Sequence, residues 1–595
     1  MAKLSVKLIY FATRNQYTSV LDTTATQTFN HQQIIPQKKM AMNRQTTLKI
    51  VFYFVFCSLC CSFVLKAQDK GQFSGDLQTS ARFYDRDSIR GAYNTPFYEY
   101  LKYGADSWLN LNYRISGFDV GLRFDMFLNS QLNNPVLPTN GQALGRWYVK
   151  KTIDKFTINA GYLYDQYASG AVYRSYENRA LGFDQAIFGL SAAYKITDNW
   201  TVKAFTGRLK RQIDPETSTI KHFKPILRGA NIDGFIDLKG KLSLAPGVAV
   251  VARTMDLDTW KSVLDDMNAL NNDTIIYTTE PKFTAAAASF YNTLQIGEFS
   301  WYTEAGYKTK DVLRDINGKL FQPDHGLLLF NTVSFAHKGL GVTLQGKYTE
   351  NFDFRVSPQE TFNSGLLNFL PPMARQNTGR LQARYAAASQ PISEISAQAD
   401  ITYTPKRGLT FNGNYAWIQN LEGDRLFSEV YLDCEFKPAK KHYKATIGIQ
   451  AVDFNRFVFQ QKEGFVNTLS PFAEFVYKFS KKTSLKTELS YMITKRESRI
   501  FGKDDPTPDQ KQDLGDWAWV LAEMAIAPHW TFSAGDMYNV GNDVHYPTLF
   551  VSYSEKATRF GLTYTKQPEG IVCTGGVCRF EPAFSGVKLD MSTSF

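Results

Sequence analysis

The chain has 595 residues, of which 44% are hydrophobic, 21% charged and 14% aromatic, with 45 Phe and 32 Tyr. Beyond residue 66 no apolar run approaches the roughly 18 residues that a spanning helix needs, which excludes a helical multi-span protein. The net charge of +11 is concentrated ahead of residue 68, where eight cations face the single anion Asp22, so only +4 remains for the rest and nothing favours nucleic-acid binding.

Residues 42–67 read as an export signal. Arg44 and Lys49 form its basic start, Ile50 to Leu65 its apolar core, and Leu65-Lys66-Ala67 a cleavage site before Gln68. The alternative is an anchoring helix, but sixteen residues are short for a span and the polar run Gln68-Asp69-Lys70-Gly71 follows directly. Cys57, Cys60 and Cys61 lack the small residues that precede a lipoprotein cysteine. Residues 1–41 are either a mis-assigned start upstream of a true start at Met42, or a basic extension of no derivable role. Residues 68–595 form the expected barrel.

From Gln68 onward one unit repeats: two alternating stretches of about ten residues, a tight turn, then a longer polar loop. A first strand is predicted near Gln72 to Tyr84. Ser107 to Ile115 then sets Leu109, Leu111, Tyr113 and Ile115 against Trp108, Asn110, Asn112 and Arg114. After Ser116-Gly117, Phe118, Val120, Leu122, Phe124 and Met126 alternate with Asp119, Gly121, Arg123 and Asp125. Later, Phe299, Trp301, Thr303, Ala305 and Tyr307 oppose Ser300, Tyr302, Glu304, Gly306 and Lys308.

A soluble sandwich shows the same alternation, so the connections decide. Short turns are predicted at Ser116-Gly117, Asp154-Lys155, Thr197 to Asn199, Ala245 to Gly247, Gln295 to Gly297, His337 to Gly339 and Pro405 to Gly408. They continue at Pro438 to Lys441, Ser480 to Thr483, Ala527 to His529 and Ser554 to Ala557. Long loops intervene at Asp165 to Gln185, Leu209 to Asn231, Thr254 to Lys282, Asn351 to Ser393 and Thr494 to Gly515. Strict alternation of short periplasmic turns with long extracellular loops marks a transmembrane barrel. About eleven hairpins, with a last strand near Ala583 to Phe595, give about 24 strands (roughly 22 to 26) and place both termini on the side of the short turns. The fold class is all-β: one large antiparallel barrel, closed because an open edge would strand backbone groups in hydrocarbon.

Several loop residues invite a chemical reading. Arg174, Glu177, Arg179 and Asp184 stand beside Gly and Tyr residues after Gly161, and either line a pore constriction or form a salt-bridged brace. Asp504, Asp505, Asp509, Asp513 and Asp516 offer oxygen ligands, but their spacing matches no calcium loop, and a solvated surface is preferred, so no metal is assigned. Cys573 and Cys578, in Cys-Thr-Gly-Gly-Val-Cys, fall in the last extracellular loop. An oxidising envelope makes a disulfide their natural assignment, against a two-thiolate metal site without further ligands nearby. Cys434, which alternates with Val430, Leu432 and Phe436, is expected to face lipid. The seven His residues accompany no nucleophile elbow or paired-histidine motif, so neither enzyme activity nor a cofactor is expected.

Val587, Leu589, Met591, Thr593 and Phe595 share one face of the final strand and resemble the C-terminal assembly signal read by barrel-insertion machinery, with Thr593 where a bulkier residue is usual. The run Gly161-Tyr-Leu-Tyr-Asp-Gln-Tyr-Ala-Ser-Gly170, through Arg174-Ser-Tyr-Glu-Asn-Arg179 to Leu181-Gly-Phe-Asp184, and the segment Cys573 to Arg579 followed by Glu581-Pro-Ala583, resemble a Bacteroidota family of outer-membrane β-barrels of unknown function. The resemblance implies the fold and the outer membrane of a Gram-negative cell, with no substrate and no site residues to carry over.

A porin-like channel or passive pore is the leading functional expectation. Its polar face mixes signs at Asp119, Arg123, Asp125, Lys203, Arg208, Glu304, Lys308, Lys347 and Glu488, which implies weak ion selectivity. The rival is a non-conducting scaffold docking lipoproteins or secretion and surface machinery. Expected partners are outer-membrane lipid, the insertion machinery during biogenesis and, on the rival reading, lipoprotein or envelope-complex proteins.

Overall fold

The computed structural model describes residues 71–595, apart from 133–136, 180–181, 215–218, 239, 270–280, 316, 362, 390–392, 440, 461, 463, 496–514 and 575–576. The expected export signal, 42–67, and residues 1–41 lie outside the described residues, as do Asp504, Asp505, Asp509 and Asp513.

The sheet is a closed antiparallel barrel of 24 strands. The first strand, Gln72–Tyr84, pairs on one edge with Tyr103–Ile115 and on the other with the last, Phe584–Ser594. Gln72 stands opposite Arg114 and Asp76 opposite Ser594, so the ring closes with its backbone groups paired across the seam. At one end the connections are tight. Ser116-Gly117 and Lys338-Gly339 each carry two consecutive positive φ values (47° and 77°; 31° and 89°), the geometry that matches a two-residue hairpin to strand twist. Both ends of the barrel sequence lie on that side.

One predicted turn is misplaced. Ala245 to Gly247 lie inside the strand Leu242–Thr254, and the chain reverses a few residues earlier, between the strand Ile236–Leu238 and Leu242. Pro246 is tolerated because the ladder to the preceding strand breaks there, between Asp233↔Gly247 and Ile236↔Leu244, where no N–H is required. The loop expected from Leu209 is also shorter. Strand Trp200–Asp214 continues past Lys210, and Ile226–Gly234 resumes the barrel after a small extension, Thr219–His222. Charges that read as loop residues are here lumen residues: Lys210 meets Asp184 at 2.6 Å inside the barrel.

The two faces separate as the alternation requires. Leu122 and Phe124 are 39% and 44% exposed on the outer surface, while Arg123 and Asp125, between and beside them, are 2% and 3% exposed inside. The same parity sends Trp301 and Tyr307 outward and buries Glu304 and Lys308 inward. An apolar belt of this extent is stable only against hydrocarbon. Cys434 lies on that outer face, between Leu432 and Phe436.

Val587, Leu589, Met591 and Thr593 share the outward parity of the last strand, and Phe595 pairs its backbone with Gly75 at 2.8 and 3.0 Å. Its ring lies 6.2 Å from that of Phe73. Thr593 has a specific use: its hydroxyl bonds that of Thr558 on the neighbouring strand at 2.8 Å.

Candidate functional site inside the barrel

A wide barrel would enclose a wide aqueous lumen, but two long connections fold into it. Residues 351–392 contain the run Gly365-Leu-Leu-Asn-Phe-Leu-Pro-Pro-Met-Ala374, too apolar for an extracellular loop in water. Phe352, Phe354, Val356, Leu367, Met373 and Leu381 are buried in one cluster with the inward-facing wall residues Ala416, Val452, Met492 and Trp517. Each large apolar side chain so buried contributes about 1.5–3 kcal/mol.

Polar contacts reach several walls at once. Gln382 donates to Ser490 at 2.8 Å and accepts, through its carbonyl, from Gln450 at 3.1 Å. Asn377 donates to Glu429 at 2.7 Å. At the stems, Lys347 donates to the Pro371 carbonyl at 2.5 Å and Arg253 to the Arg355 carbonyl at 3.1 Å. This connection is a plug.

The second inward segment, residues 164–186, packs against the first through backbone and amide hydrogen bonds. Phe369 N donates to Gly170 O and Arg174 N to Leu367 O, both at 2.9 Å, and Gln185 Nε2 donates to Leu366 O at 2.6 Å. Tyr167, Ala171, Val172 and Tyr173 of this segment are fully buried in the shared cluster.

Of the four charges singled out in this segment, the structure gathers three around one wall residue. Arg123 donates to both oxygens of Asp125 at 2.6 and 2.9 Å, to Glu177 at 2.5 Å and to Asp184 at 2.7 Å. Arg179 pairs with Glu177 at 2.9 Å and reaches Gln78 on the first strand at 2.9 Å. Burial works to raise the Asp184 carboxyl, but Lys210 and Arg123 outweigh it and hold that group well below the usual carboxylate range. Arg174 stands apart, its guanidinium stacked on Tyr176 at 3.8 Å and on Phe369 of the plug at 4.1 Å. The arrangement ties the loop to the wall.

Sequence reasoning treated residues 351–392 as one more polar loop and missed it as the main occupant of the lumen. The signal was there in the leucines, phenylalanines and prolines of 365–374. Cys573 and Cys578 face each other in register on the hairpin Gly570–Thr574 and Val577–Glu581. Their side chains lie outside the described residues, and the disulfide is taken up as a prediction below.

No curated protein matches the chain. Solved structures similar to it include the FrpB iron transporter from Neisseria meningitidis (TM-score 0.41, 11% identity, 89% of this chain and 83% of that one). The siderophore receptor PirA from Pseudomonas aeruginosa is similar over 89% of this chain and 81% of its own (TM-score 0.38, 10% identity). The outer membrane protein OpdK from the same organism covers 64% of this chain and 94% of its own length (TM-score 0.34, 10% identity). A family model matches residues 42–595, and the chain accordingly belongs to DUF6029, a family of unknown function.

Proposed function

We propose that this protein is a transport barrel of the Gram-negative outer membrane whose lumen is restricted by its own loops into a narrow, selective pore. The observation that carries the reading is the plug formed within residues 351–389, seated on inward-facing residues of several walls, Lys347, Glu429, Gln450 and Trp517 among them. A general diffusion porin needs open water through its centre. Here much of the wall's polar face is spent on holding the plug and its partner loop.

The same plug supports the scaffold reading, because a sealed barrel can serve only through its rims. Planar-bilayer recording separates the two. The full mature barrel is compared with a variant in which residues 357–388 are replaced by a short Gly-Ser linker. Small or brief steps from the intact barrel and large steady steps from the variant are expected. Large steady steps from the intact barrel would refute the restriction. Silence from both, with fixed lipoprotein or envelope partners co-purifying, would replace the pore by a scaffold.

A further inference from the structure

The strand Thr139–Ile153 carries a lumen-facing arginine that the loop-anchoring cluster leaves out. Arg146 stands opposite Arg123 in register, but the ladder slips by one residue there, with Gly145 as the extra one. A bulge of this kind re-aims the side chain beside it. Asp125, which forks onto Arg123, is packed against Gly145, where an added Cβ would meet its Oδ2 at 2.0 Å. Arg146 takes no share of that carboxylate. Among the described residues its guanidinium enters no hydrogen bond and no ion pair, and its Nε is enclosed without a partner.

Two tyrosine rings hold Arg146 instead. Its guanidinium lies 4.6 Å from the ring centre of Tyr148 and 4.5 Å from that of Tyr164. Both rings are fixed at their hydroxyl ends. Tyr148 lies across Gly121, its partner in register, where a Cβ would meet Cε1 of the ring at 2.1 Å, and its hydroxyl donates to Asp119 at 3.0 Å. Tyr164, at the start of the inward loop, donates to Asp184 at 2.7 Å. A phenol that donates to a carboxylate carries a more electron-rich ring, which favours a cation over its face. Stacking of this kind leaves the in-plane N–H donors unspent. Nearer the short turns, Arg114, Asp119 and Lys150 stand side by side in register, and Asp119 pairs with Arg114 at 2.9 Å. That row keeps one positive charge in excess, which draws anions to this side of the lumen.

We propose that Arg146, stacked on Tyr148 and Tyr164, is a binding site in the lumen for a small solute bearing a carboxylate or a phosphate. Its planar guanidinium matches either oxyanion with two parallel hydrogen bonds. The tyrosines set its position before the solute arrives, and Lys150 and Arg114 supply attraction from the mouth of the barrel. The proposal deepens the pore reading, on which it rests for passage of the solute; binding itself does not require conduction.

Ligand-observed NMR on the detergent-solubilised mature barrel at low salt tests it, with gluconate followed by saturation transfer and inorganic phosphate by phosphorus line broadening. Saturable binding of at least one probe is expected, and the stronger of the two tells carboxylate from phosphate. Arg146→Gln should weaken it about tenfold or more, and Arg146→Lys, which keeps the charge and loses the planar pair of donors, by less. Arg146 holds no ion pair among the described residues, so both variants should keep the heat-modifiable migration of a folded barrel. If neither probe binds, or binding survives either substitution unchanged, the site is refuted. A barrel that never conducts yet binds through Arg146 sinks the pore and leaves the site standing. A plug-deleted barrel that conducts while the intact one binds neither probe sinks the site alone.

Discussion

Replacing Arg123 by Met removes the residue that joins the loop 164–186 to the wall. The side chain is 2% exposed and makes four hydrogen bonds to three carboxylates. Two of those acids keep other cations: Asp184 retains Lys210 at 2.6 Å and Glu177 retains Arg179 at 2.9 Å. Asp125, 3% exposed, loses the cation that forks onto both its oxygens. Breaking one side of a buried ion pair costs about 3–5 kcal/mol, because the remaining charge is stranded. At about 1.4 kcal/mol per factor of ten, the released state of the loop should gain between about a hundredfold and a few thousandfold in population. Hydrogen exchange of the amides in 164–186, measured on the barrel in detergent, reads this directly. Faster exchange confined to that segment and the plug edge it touches is expected. The double variant Arg123→Met/Asp125→Leu removes the stranded charge as well and should recover more than half of the lost protection. Wild-type exchange in the single variant, or a double variant no better than the single, would show that the cluster does not hold the loop.

Because Asp184 is held well below the usual carboxylate range, its contribution is complete above the ordinary pKa of an aspartate and is lost only as pH falls through its depressed value. Loop protection should therefore be flat from neutral pH down through about pH 4.5, and a drop near pH 6 would contradict the assignment. Cys573 and Cys578, opposite each other in register, should appear as one cross-linked peptide in protein extracted without reductant, while Cys434 is alkylated; alkylation of Cys573 and Cys578 without reductant would exclude the disulfide. Phe595→Ala removes a ring contact with Phe73 worth about 1 kcal/mol. If the terminus is read during assembly, folded barrel recovered from cells should fall far more than that loss of stability explains, and a yield that tracks stability alone would make it ordinary packing.

What was legible in the sequence is what period-2 alternation encodes. Phe118 to Met126 could take only one arrangement, apolar side to hydrocarbon and Arg123 to the lumen, and the first strand was placed to the residue at Gln72–Tyr84. The error at Pro246 has a local cause: proline marks turns because it lacks an N–H, and only the pairing shows that the neighbouring ladder is interrupted there. Arg174, Glu177, Arg179 and Asp184 stood out as charges beside glycine and tyrosine. Their partners, Arg123 and Lys210, are 54 and 26 residues away from Glu177 and Asp184 respectively.

The sequence by itself determined the strand pattern, the parity of hairpins such as Ser107 to Met126 and the need for closure, because each follows from hydrogen-bond satisfaction and burial between chain neighbours. Only the tertiary structure decided what fills the barrel. Whether residues 351–389 turn outward or inward depends on the walls they meet, and those walls come from strands far apart in the chain, Arg253 to Trp517.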